Sequence, residues 1–156
     1  MRLVAFVVAA FLAWFFLGGS RYEARYALPG SPYEVVVSLS QMHPHLAEYE
    51  REIRVEGVGR AATLPLFPDT GGYALVNAYS ANSGRVILRT MGNDEYLIDN
   101  QSGQVSRRRH LSECNERGPF DAAFIGAFDF DTDGQWRFIP EDERAEQLIW
   151  ACDKQT

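Results

Sequence analysis

Apolar and polar side chains alternate with a period of two in one segment after another between residues 22 and 139. Successive side chains of a strand point to opposite faces of its sheet, so this period is typical of strands that bury one face. The longer helical period is nearly absent before the C-terminal end of the chain. The sequence therefore predicts a mainly β fold.

Turn-forming residues separate the alternating segments. The strands predicted between them cover residues 22–28, 33–39, 47–56, 61–67, 73–79, 85–91, 95–99, 104–109, 124–132 and 135–139. The pair Asp133-Gly134 between the last two segments is one of the strongest short signals for a hairpin. Short sequential strands with such turns pair as an antiparallel meander, and we expect a barrel, a sandwich or a curved sheet.

Two of the predicted strands carry a second signal. Segment 47–56 also permits a helix that starts at Pro44, although its alternation favours a strand. Segment 61–67 contains Pro65, which has no N–H group to donate to a ladder. We therefore expect that strand at a sheet edge or at a bulge.

A single helix is predicted at the C-terminal end. Pro140 suits the first turn of a helix, and the acidic residues that follow it are favourable at the positive end of the helix dipole. One face of this helix would carry the side chains of Ala145, Leu148, Ile149 and Cys152. We expect this apolar face to dock on the sheet.

An unbroken apolar run over residues 3–17 precedes the β region. It suits a transmembrane anchor that crosses the inner membrane once, and it suits the apolar region of a signal peptide equally well in length. An aromatic cluster typical of a membrane interface favours the anchor; it consists of Trp14, Phe15 and Phe16. Gly18 and Ser20 would suit signal peptidase. We divide the chain into a targeting segment, 1–20, and a domain, 21–156.

The charge balance limits the partners of the domain. The chain has 156 residues, 21 of them acidic and 15 basic, which gives a net charge of −6. It has no long basic stripe that would neutralise phosphates, so nucleic acid is excluded as an expected partner. The run from Arg107 to His110 is the only basic one, and it would meet lipid headgroups, an acidic partner or the abundant glutamates.

The two cysteines of the chain, Cys114 and Cys152, both follow the apolar run. Arginines flank the run on both sides, so the positive-inside rule leaves its orientation nearly balanced. A cysteine pair in an exported domain suggests a disulfide and favours the periplasm as the location of the domain. The alternative is two unrelated buried thiols.

Three aspartates alternate near the last predicted turn. Asp129, Asp131 and Asp133, followed by Gly134, match the first half of a calcium-binding loop. The twelfth position of that loop requires a glutamate but holds Pro140. The preferred interpretation is the solvent face of a hairpin, with a calcium site as the alternative. Calcium is the only cofactor that the sequence suggests.

Other patterns point weakly to catalysis. Asp69-Thr70-Gly71 resembles the catalytic tripeptide of aspartic peptidases, and Phe124-Ile125-Gly126 resembles their apolar pair with glycine. Because the chain holds one copy, such an enzyme would be a homodimer, whereas the neighbouring Pro68 and Gly72 favour a turn. The loop His43-Pro44-His45, together with His110 and Cys114, lacks the spacing of a metal site.

These observations favour binding over catalysis. We expect a non-enzymatic interaction module of the bacterial cell envelope: an accessory subunit, an inhibitor or an immunity-type protein that masks a partner protein with an acidic face. A calcium-binding or hydrolytic domain built on the aspartate loop is the alternative. A homodimeric aspartic peptidase is a remote alternative.

Overall fold

The computed structural model describes residues 20–43, 46–57, 59–66, 74–81, 83–90, 94–110 and 122–146. Ten strands lie in these ranges, and no helix does. The strands are β1 (Arg21–Ala27), β2 (Glu34–His43), β3 (Leu46–Gly57), β4 (Arg60–Pro65), β5 (Val76–Ala81), β6 (Arg85–Thr90), β7 (Asp94–Asp99), β8 (Val105–His110), β9 (Ala122–Phe130) and β10 (Trp136–Pro140). The predicted mainly β fold is confirmed.

The strands form two antiparallel sheets. Sheet A has the order β1-β2-β3-β4, and sheet B has the order β10-β9-β5-β6-β7-β8. Sheet A is the meander that the sequence predicts. Segment 47–56 lies in the strand β3 and does not form the competing helix. The strand β4, which ends at Pro65, lies at an edge of the sheet.

Sheet B departs from a simple meander, because β9 pairs with β5 and not with β8. The strand β9 has apolar side chains on both of its faces, including Ala127 and Phe128, which are fully buried. The strand β8 is rich in arginine and suits an edge, where polar side chains and unpaired backbone groups meet water. The last hairpin therefore returns to the far side of β5.

The two sheets pack face to face around one core. Sheet A contributes the inward row of β2, which includes Val35, Val37 and Leu39, and sheet B contributes residues such as Leu88 and Phe128. The indole Nε1 of Trp136 in β10 donates a hydrogen bond of 2.9 Å to the Val37 carbonyl of sheet A. The sheets also meet at both edges, with β1 beside β10 and β4 beside β8. The architecture is a β sandwich.

One end of the sandwich, here the proximal end, holds the start of β1 and the turn between β9 and β10. The rings of Tyr22 and Phe130 lie 5.4 Å apart, centroid to centroid, and Tyr49 lies 6.2 Å from Tyr22. The backbone N–H of Gln41 donates a hydrogen bond of 3.1 Å to the Ser20 carbonyl. The hairpin of β2 and β3 therefore extends past the start of β1.

Tyr33 fills the opposite, distal end between two turns. A Cβ atom at Gly57 would lie 2.2 Å from Tyr33 Cδ1, and one at Gly103 would lie 2.8 Å from the same ring. Glycine is therefore required at both positions for the tyrosine ring to pack where it does.

The chain after β10 turns back over sheet B. Pro140 ends β10, and its carbonyl accepts hydrogen bonds of 3.1 Å from the amides of Glu143 and Arg144. This single turn stands where the sequence predicts the start of a helix, and no helix is formed through residue 146. The remaining residues of the predicted helix lie outside the described residues. Within the described ranges, no helix is long and apolar enough to cross a membrane. The apolar run 3–17 lies outside them.

Candidate functional site

The outer face of sheet A, here the acidic face, is exposed and strongly charged. In β3, Ile53 and Val55 point into the core, so the residues between them point outward. The face carries six glutamates, three arginines and three smaller side chains of β2. They are Arg21, Glu23 and Arg25 of β1; Glu34, Val36, Ser38 and Ser40 of β2; and Glu48, Glu50, Glu52, Arg54 and Glu56 of β3.

Ion pairs close the distal half of the acidic face. Arg54 Nη2 donates to Glu23 Oε1 at 2.8 Å, and Arg25 Nη1 donates to Glu56 Oε2 at 2.9 Å. These long side chains of β1 and β3 meet above β2 and bury Val36 completely. The hydrogen bond from Arg54 lowers the pKa of Glu23, and the partnering carboxylates raise the pKa of both arginines.

The proximal half of the acidic face is open. Here β2 presents the small side chains of Ser38 and Ser40, and a shallow depression forms between the charged rows of β1 and β3. Its lining consists of Arg21, Ser38, Ser40, Glu50, Arg51, Glu52, Pro65 and Leu66. The lining offers the carboxylates of Glu50 and Glu52 as hydrogen-bond acceptors beside the serine hydroxyl groups, and it also includes Arg21 and Arg51.

An ion pair with one buried partner lies at the proximal end of sheet B. The side chain of Asp94 is fully buried, and its Oδ1 accepts from Arg107 Nε at 3.1 Å. Its Oδ2 accepts from the hydroxyl of Tyr96 at 3.3 Å. Burial and the Asp94 charge raise the pKa of Tyr96 to about 12, so this hydroxyl stays protonated at physiological pH. In this arrangement the buried Asp94 carboxylate is paired with the Arg107 guanidinium group.

The register of β8 explains how Arg107 reaches this ion pair. Arg107 pairs directly with Tyr96, and Asp94 lies two residues from Tyr96 on the same face of β7. Arg107 therefore faces the same side as Asp94, and its side chain is still half exposed. The next residue, Arg108, is the extra residue of a bulge, because Glu95 pairs with Arg109. The basic run is not a uniform solvent-facing patch, because Arg107 pairs with the buried Asp94 carboxylate.

The chain itself covers the part of the outer face of sheet B around Tyr79. Tyr79 is buried, and its hydroxyl donates to Glu146 Oε1 at 2.6 Å. Burial, followed by the hydrogen bond to Glu146, raises the pKa of Tyr79. Beside it, Arg89 Nη2 donates to Glu95 Oε1 at 2.6 Å, and the Arg89 guanidinium lies 5.5 Å from the centroid of the Tyr79 ring. Of the two outer faces, the acidic face is the more accessible to a partner.

Two of the three aspartates of the predicted calcium site, Asp131 and Asp129, form side-chain hydrogen bonds in the last hairpin. Asp131 Oδ1 accepts from the amides of Asp133 and Gln135 at 3.0 Å and 2.9 Å, and its Oδ2 accepts from Arg137 Nε at 2.8 Å. Hydrogen bonds from the Gln135 amide and from Arg137 lower the pKa of Asp131.

Asp129 pairs with Arg144, and its Oδ1 accepts from the Phe130 amide at 2.7 Å. Across the described ranges, no group of three or more His, Cys, Asp or Glu side chains is arranged to hold a metal ion. A calcium ion would have to displace arginine and amide donors, and calcium binding stays a prediction.

The other predicted site residues are scattered. Phe124 lies in β9, where its ring contacts Tyr79 edge to face at 5.7 Å. His43 Nε2 lies 3.7 Å from Glu48 Oε2 at the tip of the β2–β3 hairpin. Several predicted residues lie outside the described residues: Trp14, Phe15, Phe16, His45, Asp69, Cys114 and Cys152. The disulfide, the anchor and the peptidase motif therefore stay predictions.

The chain matches no protein-family model, no curated protein and no solved structure. Its function must therefore be inferred from its own residues.

Proposed function

We propose that the protein is a non-enzymatic binding module of the cell envelope that engages a basic surface of a partner protein through the acidic face. The observation that carries this proposal is the excess of glutamates on the exposed face of sheet A, against an outer face of sheet B that contacts its own chain at Glu146. A partner of opposite charge would be attracted before contact and oriented by the same field.

The ion pairs of the acidic face support this role in binding. Arg54 and Arg25 hold the glutamates around them in fixed positions, so less side-chain entropy would be lost when a partner arrives. Exposed ion pairs contribute little to folding stability, and salt screens them. We therefore expect the complex to weaken as ionic strength rises.

The depression beside Ser38 and Ser40 would take the central contact. A guanidinium group entering it would meet Glu50 and Glu52, which stand on the same row of β3. Bidentate pairing of guanidinium with carboxylate is stronger and more directional than pairing with ammonium. We expect an arginine of the partner at this position.

For the location, we propose that residues 3–17 anchor the chain in the inner membrane and that the domain lies in the periplasm. The apolar run, its aromatic cluster and the two cysteines in the exported part support this location. A cleaved signal peptide would leave the same binding domain in the same compartment.

The experiment is a quantitative pull-down of the full chain from detergent-solubilised membranes. The test variant carries Glu50→Gln and Glu52→Gln, and the control carries Glu141→Gln and Asp142→Asn, which remove the same charge at exposed positions elsewhere. We expect the test variant to lose a specific partner by roughly tenfold, equivalent to about 1.4 kcal/mol, while the control retains it. Equal recovery by wild type and both variants would contradict the proposal.

A further inference from the structure

Two large apolar side chains are exposed at one point of the sandwich. Met42 near the end of β2 is 40% exposed, and Leu46 at the start of β3 is 52% exposed. His43 pairs with Leu46 in the ladder, so both apolar residues lie at the tip of the same hairpin. Here Met42, His43 and Leu46 together are called the proximal hairpin tip.

The proximal hairpin tip lies beside the point at which the chain enters the domain. The Gln41 amide donates to the Ser20 carbonyl at 3.1 Å, so β2 and the start of β1 are level there. Because β1 and β2 are antiparallel, β2 continues beyond Gln41 in the direction from which the preceding chain enters β1. The hairpin therefore projects past Ser20, beyond the N-terminal end of β1.

Covalent geometry limits how far the apolar run can be from this tip. Leu17 and Ser20 are separated by three residue steps, and each step spans at most about 3.6 Å, so their Cα atoms lie within roughly 11 Å of each other. If residues 3–17 lie in a bilayer, Ser20 must lie at its surface. The proximal hairpin tip must then lie at that surface as well.

We propose that the proximal hairpin tip is a lipid contact, with Met42 and Leu46 entering the bilayer interface beside the anchor. This inference rests on the proposed anchor. Transfer of these side chains out of water is favourable, and no other large hydrophobic side chain is exposed among the described residues.

Charged side chains of both signs lie at the proximal end, and only the arginines suit an anionic bilayer surface. Arg21, Arg107 and Arg137 have half-exposed side chains at this end, where anionic headgroups would meet them. Asp131 and Glu48 also lie there, each near a cationic or ionisable partner, Arg137 and His43. The lipid contact is therefore assigned to the apolar tip and not to a basic patch.

The test measures depth in vesicles of phosphatidylcholine and phosphatidylglycerol that contain the full chain. In the test sample p-acetylphenylalanine replaces Leu46, and in the control it replaces Gln101 in the exposed turn at the distal end. A nitroxide label is then attached to the acetyl group in each sample. This attachment leaves both cysteines unchanged. Collisions of each label with oxygen, which concentrates in lipid, and with a water-soluble nickel chelate are then compared.

We expect the label at position 46 to collide mainly with oxygen and the label at 101 mainly with nickel chelate. Met42→Ser should move the label at 46 toward the aqueous pattern without releasing the chain from vesicles. An aqueous pattern at 46 in a chain that floats with the vesicles would overturn the lipid contact and leave the anchor intact. A chain that fails to float with the vesicles would overturn both. Neither result bears on partner binding by the acidic face.

Discussion

The substitution Gly126→Ala in β9 should strongly lower the free energy of unfolding. The φ of Gly126 is +143°, a conformation that residues with a side chain rarely adopt. This glycine follows a bulge, because Ala78 pairs with Gly126 while Tyr79 pairs with Phe124, which leaves Ile125 as the extra residue. A Cβ atom at this glycine would lie 2.4 Å from the Ile139 carbonyl oxygen and 2.9 Å from Pro140 Cα.

The cost of Gly126→Ala follows from these two features. A side chain in such a backbone conformation costs about 1 to 3 kcal/mol. Overpacking against neighbours adds about 1 to 3 kcal/mol. Two of the three nearest atoms, the Ile139 carbonyl oxygen and Pro140 Cα, belong to the backbone and cannot rotate away, and the third is Phe138 Cζ. We expect a loss of about 2 to 6 kcal/mol, a large share of the roughly 5 to 15 kcal/mol that stabilises a typical domain.

Gly134→Ala is the matched control. Its φ is +74°, but no atom lies within 4 Å of a Cβ placed there, so only the backbone cost of about 1 to 2 kcal/mol applies. Both variants are compared with wild type by thermal unfolding of the full chain in mild detergent, followed by near-ultraviolet circular dichroism. Gly126→Ala should melt several degrees below Gly134→Ala. Equal melting temperatures would refute the bulge and its contact with β10.

Three further predictions concern titration, calcium and the cysteines. Folding raises the pKa of Tyr96 from 10.0 to about 12, so the stability that this hydroxyl contributes is present below pH 10 and is lost as the pH rises toward 12. In denaturant titrations, Tyr96→Phe should therefore reduce the loss of unfolding free energy at alkaline pH. Other buried tyrosines should account for the loss that remains. Since Asp131 already accepts from Arg137 and two amides, melting curves with millimolar calcium and with chelator should superimpose; a large shift that Asp131→Asn abolishes would establish a calcium site. Mass spectrometry of protein purified from the envelope should detect a Cys114–Cys152 disulfide, and two free thiols would disprove it.

The alternation of the sequence was sufficient to place the strands. Segment 47–56 corresponds to β3, and Asp133-Gly134 lies in the turn between β9 and β10. The position of β9 could not be predicted from this local signal. Its location beside β5 depends on the burial of both of its faces, and a period of two describes only one buried face.

The bulges limit what the pattern can predict about faces. Without an extra residue, Phe124 and Phe128 would share a face, but Ile125 shifts the register and places Phe124 against Tyr79 on the outer side. The bulge in β8 acts only on the residues after Arg107, because Arg108 is the extra residue and Glu95 pairs with Arg109. A single inserted residue changes the face without changing the composition, so the contact of Phe124 with Tyr79 has no signal in the sequence.

The sequence predicts the negative net charge of the protein but not the position of the acidic face. The net charge of −6 indicates an acidic protein, but the grouping of glutamates depends on the register of β1, β2 and β3. The burial of Tyr79 was not predicted, because its contact with Glu146 joins residues that are far apart in the sequence. Which face stays open depends on that long-range contact.

Photocrosslinking in the cells that produce the protein tests partner binding by the acidic face most directly. Benzoylphenylalanine replaces Ser40 on the acidic face, or Ser106 on the outer face of sheet B, and both serines lie in strands at accessible positions. If the acidic face binds a partner, position 40 crosslinks a discrete protein, Glu50→Gln with Glu52→Gln weakens that product, and position 106 does not form it. A product of equal yield from position 106, or none from position 40, would contradict the account.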